Sequence, residues 1–210
     1  MIYLARCSGF SPAFFEAAVK ALPKEKQASV ALIRHRQTKE QTLLGWSMVA
    51  LVRERMGCSA HAPLRFSAHG KPFYDDTFHF NLSHSGDTVC LAVADAPVGV
   101  DVQTLKTPSD ALVRRVLCPN ERAALSAAND PALAFTTFWT MKESWLKLCG
   151  TGIVDDLTAL DFSPHLNADA FSFESAQFTV FRTQTYVLTA CGAVSETAIR
   201  TLNASDFQQV

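Results

Sequence analysis

Phe138-Trp139-Thr140-Met141-Lys142-Glu143-Ser144-Trp145-Leu146-Lys147 is the helix-forming stretch around which the rest of this 210-residue chain is organised. Asp130-Pro131 ahead of it suits a helix start, and Gly150-Thr151-Gly152 behind it suits a C-terminal break. Between them Phe138, Met141, Trp145 and Leu148 recur at intervals of three and four, so one apolar face turns to a core. Trp139, Glu143 and Lys147 fall four apart on a neighbouring face and stack a carboxylate on an ammonium beside two large aromatics. Alone, such a pair is an ordinary solvated helix pair contributing about 0.3–0.5 kcal/mol. Chemistry enters through the polar stretches that join it.

Hydrophobic residues make up 48% of the chain and charged residues 19%, which predicts a globular protein with a sizeable core and excludes disorder. A net charge of −1 argues against general nucleic-acid binding, so any basic surface is local. Lys24, Lys26, Arg34, His35, Arg36 and Lys39 form one such cluster; Lys106, Arg114 and Arg115 form a second. The cysteines at 7, 58, 90, 118, 149 and 191 are scattered without a Cys-x-x-Cys, which fits reduced structural thiols better than a disulfide framework or a zinc site. The start lacks the features of a signal peptide, and no window approaches 18 uninterrupted apolar residues. A soluble, cytoplasmic protein with no membrane partner is expected.

Patterning predicts a short strand over Ile2–Arg6, a helix opened by Ser11-Pro12 and closed by Pro23, and a longer helix over Gln41–Met56. Pro63–Ser67 reads as a strand, and His69-Gly70-Lys71-Pro72 as a turn. Phe78–Ser83, Thr88–Asp95 and Val98–Gln103 predict a three-strand antiparallel meander. Helices are predicted over Ala111–Leu117, Pro119–Ala128 and Pro131–Leu148, then strands near 158–162, 171–182, 185–191 and 197–202. Each half offers helices first and antiparallel strands later, the pattern of an α+β fold built by internal structural duplication.

Two polar stretches stand out. In Val98-Gly99-Val100-Asp101-Val102-Gln103 the valines bury one face, so Asp101 and Gln103 emerge together on the other. Strands disfavour Asp; the face is either simply exposed or a hard-metal site of oxygen ligands. In Phe80-Asn81-Leu82-Ser83-His84-Ser85 a strand ends in small hydroxyls around one histidine, either a satisfied structural residue or a group facing an anion.

Asn81-Leu-Ser83-His84-Ser85, Gly99-Val-Asp101-Val-Gln103 and Trp139-Thr-Met-Lys142-Glu143-Ser144-Trp-Leu-Lys147, in this order, resemble the 4′-phosphopantetheinyl transferases of the surfactin-synthetase-activating (Sfp) type. Gln41-Thr42-Leu43-Leu44-Gly45, Gly70-Lys71-Pro72 and Val116-Leu-Cys-Pro119-Asn-Glu121 add to the likeness, which extends over most of the chain. The resemblance implies two similar α+β halves, 1–104 and 105–210, related by a pseudo-twofold with the active site between them. It implies Mg²⁺-dependent transfer of the 4′-phosphopantetheine arm of coenzyme A to a serine of an acyl or peptidyl carrier protein, releasing 3′,5′-ADP. Mn²⁺ is an alternative ion. Asp101 and Glu143 are then the metal ligands, with Gln103 beside them, and Glu143 also activates the carrier serine. Lys147 meets the pyrophosphate; Ser83 and His84 contact phosphates of coenzyme A, His84 with a share in catalysis. Lys71 lies along the adenine and its phosphates, and Lys26, Arg36 and Thr42 hold the 3′-phosphate end.

One departure is informative. Gln103 stands where the family usually has a second acidic residue, so one negative charge is lost, although an amide oxygen can ligate Mg²⁺. Ser29 occupies a place where some relatives carry lysine. Lys106, Leu112, Arg114 and Arg115 form a docking face for an acidic carrier. A monomer serving fatty acid, polyketide or nonribosomal peptide biosynthesis is expected. The alternative is a non-catalytic module that binds coenzyme A or carrier proteins, with Gln103 marking decay of the metal site. A serine hydrolase is disfavoured: no Gly-x-Ser-x-Gly elbow is present, and Ser83 and His84 are strand neighbours whose side chains diverge.

Overall fold

The computed structural model describes residues 1–59, 61–152, 156–192 and 198–207. The N-terminal part runs β1 (Ile2–Arg6), α1 (Pro12–Ala21), α2 (Lys24–Ala31), α3 (Arg36–Arg55), the hairpin β2–β3 (Leu64–Phe66, Pro72–Tyr74), β4 (His79–Ser85) and β5 (Thr88–Ala94). Then come β6 (Val98–Thr104), α4 (Asp110–Val116), α5 (Pro119–Ser126), α6 (Pro131–Cys149), β7 (Ala170–Phe173), β8 (Ala176–Arg182), β9 (Tyr186–Gly192) and β10 (Ile199–Thr201). Helix ends follow local chemistry. Asp130 caps α6 by accepting from Leu133 N at 3.0 Å with Pro131 in the first turn, and Gly150 at φ 72° closes it.

The architecture is α+β: two four-stranded sheets, ordered β10-β1-β5-β4 and β6-β9-β8-β7, lie face to face. Alternation along each strand produces the layers. Ile2, Leu4, Cys90 and Ala92 on one sheet meet Val98, Val100, Val102, Leu188 and Ala190 on the other. Tyr3, Ala5, Val89, Leu91 and Val93 point outward under Leu44, Met48, Leu51 and Val52 of α3. Val187, Cys191, Phe178 and Val180 point the opposite way under Phe138, Met141 and Leu146 of α6. Helix, sheet, sheet and helix thus form four layers, with a long amphipathic helix on each outer face.

Several sequence expectations are corrected here. The predicted meander breaks after its second strand: β4 and β5 pair, but β6 pairs antiparallel with β9, Asp101 opposite Thr189. The strand placed at the end of the first half therefore lies in the second sheet. β10 does the reverse, adding in parallel to β1. Residue 197 of the predicted last strand lies outside the described residues. No strand forms at 158–162; Asp156 accepts from Thr158 N at 2.9 Å and winds Leu157–Ala159 into a 3-10 turn. The segment 171–182 is a hairpin, β7–β8, turning at Glu174 with φ 51°. The charged stretch before Gln41 is helical: α2 is a separate helix, and α3 begins at Arg36, where His35 caps Thr38 N.

α6 crosses β6 at Gly99. A Cβ there would run into Ser144 O and stand 2.6 Å from Leu148 N, both backbone atoms of the helix. The absent side chain is what lets strand and helix approach closely enough to share a site. Gly99→Ala is expected to lower stability by about 2–4 kcal/mol, read as a fall in the urea midpoint. An unchanged midpoint contradicts this packing.

Candidate active site

β6 ends its sheet, yet Val100 and Val102 are fully buried, so the backbone groups on its outer edge need partners. Side chains from β4 supply them. Asn81 Oδ1 accepts from Val100 N at 2.9 Å, Ser83 Oγ from Val102 N at 3.2 Å and Ser85 Oγ from Thr104 N at 3.0 Å. Two lysines serve the carbonyls: Lys71 Nζ donates to Val98 O and Lys147 Nζ to Val100 O, each at 3.2 Å. Alternate side chains thus stand where a neighbouring strand's backbone would, which explains the Asn-x-Ser-x-Ser spacing of 81, 83 and 85 physically.

The same contacts fix the chemical groups. Asp101 Oδ1 accepts from Lys147 Nζ at 2.6 Å and from Ser83 Oγ at 2.7 Å, and Lys147 also donates to Ser83 Oγ at 3.0 Å. The carboxylate that pairs with Lys147 is therefore Asp101 on the strand, not Glu143 one helical turn away. Among the described residues, Asp101 Oδ2 and Glu143 Oε1 are buried without a hydrogen-bond partner. The two residues are only 6% and 7% exposed. Burial first, and then the negative charge of Asp101, push the Glu143 carboxyl above the usual carboxylate range; Lys147 opposes them. Two orphaned, mutually repelling carboxylate oxygens are costly to bury without a cation. A hard divalent ion with oxygen ligands fits them.

Glu143 and Lys147 line a cavity of about 290 Å³ with Lys71, Asn81, Gly150 and Gly152. Lys71 reaches across it to bond Lys147 O at 2.5 Å and Leu148 O at 3.4 Å, capping the C-terminal end of α6. His84, exposed on the other face of β4, is held below the ordinary histidine range by desolvation and the Lys147 ammonium, with Asp101 pulling the other way. Gln103, next after Asp101 on its face of β6, lines a groove of about 330 Å³ with Lys106, Leu112, Phe135, Thr136 and Trp139. Arg114 and Arg115 are exposed in the last turn of α4.

The residues assigned to the 3′-phosphate end have other partners. Lys26 Nζ sits 5.3 Å from the Trp46 ring and 4.8 Å from the Phe66 ring. Arg36 pairs with Glu40 at 2.7 Å, and Thr42 Oγ1 donates to Thr38 O at 2.7 Å.

Sequence reasoning missed one pair. Lys142, fully buried, bonds Glu121 Oε2 at 2.6 Å and donates to Val116 O, Leu157 O and Leu160 O. Glu121 in turn accepts from Cys118 N at 2.9 Å and Phe162 N at 3.0 Å. The signal was present: Lys142 follows Met141 on the apolar stripe of α6, where a charge needs a partner. Cys118, Glu121 and Asp161 are also close enough to share an ion, but the ammonium of Lys142 already serves Glu121 there.

A carboxyl group whose pKa is higher in the folded than in the unfolded chain destabilises the fold once ionised. Glu143→Gln is therefore expected to raise the melting temperature at neutral pH. The gain should shrink as pH falls and vanish below the ordinary glutamate range, where both side chains are neutral. Each kcal/mol gained moves the midpoint by about 2–4 °C at this chain length. Equal midpoints at neutral pH contradict the electrostatic assignment.

A family model described as the 4′-phosphopantetheinyl transferase superfamily matches residues 97–199, the segment that carries Asp101, Glu143 and Lys147. The 4′-phosphopantetheinyl transferase psf-1 of Bacillus pumilus is 34% identical over 151 residues, 69% of this chain and 64% of that protein. The 4′-phosphopantetheinyl transferase Sfp of Bacillus subtilis (strain 168) is 31% identical over 160 residues, 73% of this chain and 70% of that protein. A more distant relative is the L-aminoadipate-semialdehyde dehydrogenase-phosphopantetheinyl transferase of Rattus norvegicus, 27% identical over 72% of this chain and 56% of its own length. The chain thus spans between about half and 70% of the length of these relatives. With its strand and helix carboxylates set beside Lys147 within the matched segment, the chain belongs to the 4′-phosphopantetheinyl transferase superfamily.

Proposed function

We propose that this protein transfers the 4′-phosphopantetheine arm of coenzyme A to a serine of an acyl or peptidyl carrier protein and releases 3′,5′-ADP. The observation that carries the reading is the pair of buried, partnerless carboxylate oxygens, Asp101 Oδ2 and Glu143 Oε1, beside an anchored lysine at a cavity mouth. Asp101 and Glu143 supply the charged oxygens for Mg²⁺ or Mn²⁺, and Gln103, next on the same face of β6, a neutral one. When bound, such an ion neutralises the charge of the diphosphate bridge as it is cleaved.

The chain's own residues do the rest. Glu143, its proton affinity raised by burial and by Asp101, takes the proton of the carrier serine. The serine oxygen bonds to the phosphorus that bears the arm, and the bond from that phosphorus to the leaving phosphate breaks. Lys147 donates to an oxygen of the departing group and steadies its new charge. Ser83 positions Lys147 and Asp101 together, while Ser83 and His84 border the phosphates and Lys71 the adenine side of the cavity. Lys26, Arg36 and Thr42 take the 3′-phosphate end. An acidic carrier docks over Lys106, Leu112, Arg114 and Arg115, beside the groove of Gln103 and Trp139. The protein acts as a monomer in the cytoplasm, where coenzyme A and carriers meet.

Incubation with coenzyme A, Mg²⁺ and a panel of apo carrier proteins, followed by intact-mass spectrometry, tests this. One or more carriers should gain the arm, and Glu143→Ala should slow the gain by about 10²–10⁴-fold. A panel left unmodified, or a variant as fast as wild type, contradicts the proposal.

A further inference from the structure

An ammonium has three protons to donate. Those of Lys147 end on Asp101 Oδ1 at 2.6 Å, Ser83 Oγ at 3.0 Å and Val100 O at 3.2 Å. Asp101 and Ser83 also bond each other, and the outward carbonyl of Val100 takes its hydrogen bond from Lys147. A phosphate oxygen that accepts from Lys147 must displace one of these three. Local charge does not draw it in: the two carboxylates offset the ammoniums of Lys147 and Lys71, so the cavity carries no net positive charge. Lys71 is likewise committed, its ammonium ending on the carbonyls of Val98, Lys147 and Leu148. Yet Lys147 lines the cavity and its side chain is 28% exposed, so it can turn outward without unfolding anything.

We propose that Lys147 is a metal-gated phosphate ligand: paired with Asp101 it is withheld from coenzyme A, and a divalent cation taken up by Asp101 and Glu143 releases it. The inference rests on the functional reading above. The cation does this by drawing the charge of Asp101 toward its other oxygen, Oδ2, which weakens the hold of Oδ1 on the ammonium and turns the site net positive. Metal and diphosphate then bind with positive coupling, each raising the affinity for the other by the same factor. The strand residue is in this view both ligand and latch.

Calorimetric titration of coenzyme A into the full chain, once with Mg²⁺ and once with EDTA, tests the gate. Wild type should bind about tenfold or more tightly with Mg²⁺. Asp101→Asn opens the latch without metal, so in EDTA it should bind about tenfold more tightly than wild type and gain little from Mg²⁺. Glu143→Gln removes the same formal charge but keeps the latch, so in EDTA it should tighten binding clearly less than Asp101→Asn does. Equal tightening in these two variants, or none in Asp101→Asn, overturns the gate. Lys147→Met gives a test that does not depend on Asp101 being replaceable. It should weaken coenzyme A binding much more with Mg²⁺ than in EDTA; an equal loss in both buffers overturns the proposal. Every readout is binding without a carrier, so a chain that couples metal to coenzyme A but transfers nothing defeats the functional reading alone.

Discussion

β6 ends its sheet in the middle of the protein, where its outward N–H and C=O groups can reach neither water nor another strand. Asn81, Ser83 and Ser85 take the amides, and Lys71 and Lys147 take the carbonyls. Leaving any one of these buried groups unpaired costs about 1–3 kcal/mol, so the five side chains are held in register with the strand as firmly as a ladder would be. These side chains join the two sheets at this seam. The seam also fixes where Asp101 stands.

The chemistry reuses that seam. Ser83 gives its proton to Asp101 and accepts from both Val102 N and Lys147, so one hydroxyl ties a strand edge, a carboxylate and an ammonium together. Gly99 removes the side chain that would keep α6 away, and Glu143 then arrives beside Asp101 from the opposite layer. On the far side of α6, the Lys142–Glu121 pair fixes the same helix to the loops at 117–118 and 157–162. Adjacent residues of one helical turn therefore do different work. Lys142 anchors the helix in the core, and Glu143 presents an unsatisfied charge at the cavity. A site that keeps two repelling carboxylates buried needs rigid supports of this kind on both sides.

Local patterns made much of the architecture legible. The three-and-four spacing of Phe138, Met141, Trp145 and Leu148 marked the face that α6 buries, and the alternate valines of β6 marked the face between the sheets. Proline and Asp at 130–131 and glycine at 150 marked the ends of α6. What periodicity could not carry was pairing. The turn Asp95-Ala96-Pro97 looks like a hairpin connection, but the seam draws β6 across to β9, a partner more than 80 residues away, and β10 crosses back to β1. Asp101, Glu143 and Lys147 were singled out as site residues from their types and motifs; that Lys147 would choose Asp101 over its helical neighbour depends on the close crossing at Gly99, which no local pattern reveals. The place of Lys142 on an apolar stripe requires a buried acid, but local sequence does not say that Glu121 supplies it.

Whether the strand and helix carboxylates converge on one divalent ion at this seam decides the proposed chemistry. Crystals grown with coenzyme A and Mn²⁺, measured for the anomalous signal of manganese, test it most directly. A single strong peak between the side chains of Asp101 and Glu143, facing the diphosphate, is expected. A peak at Cys118, Glu121 and Asp161 instead, or coenzyme A bound with no manganese between residues 101 and 143, would contradict it.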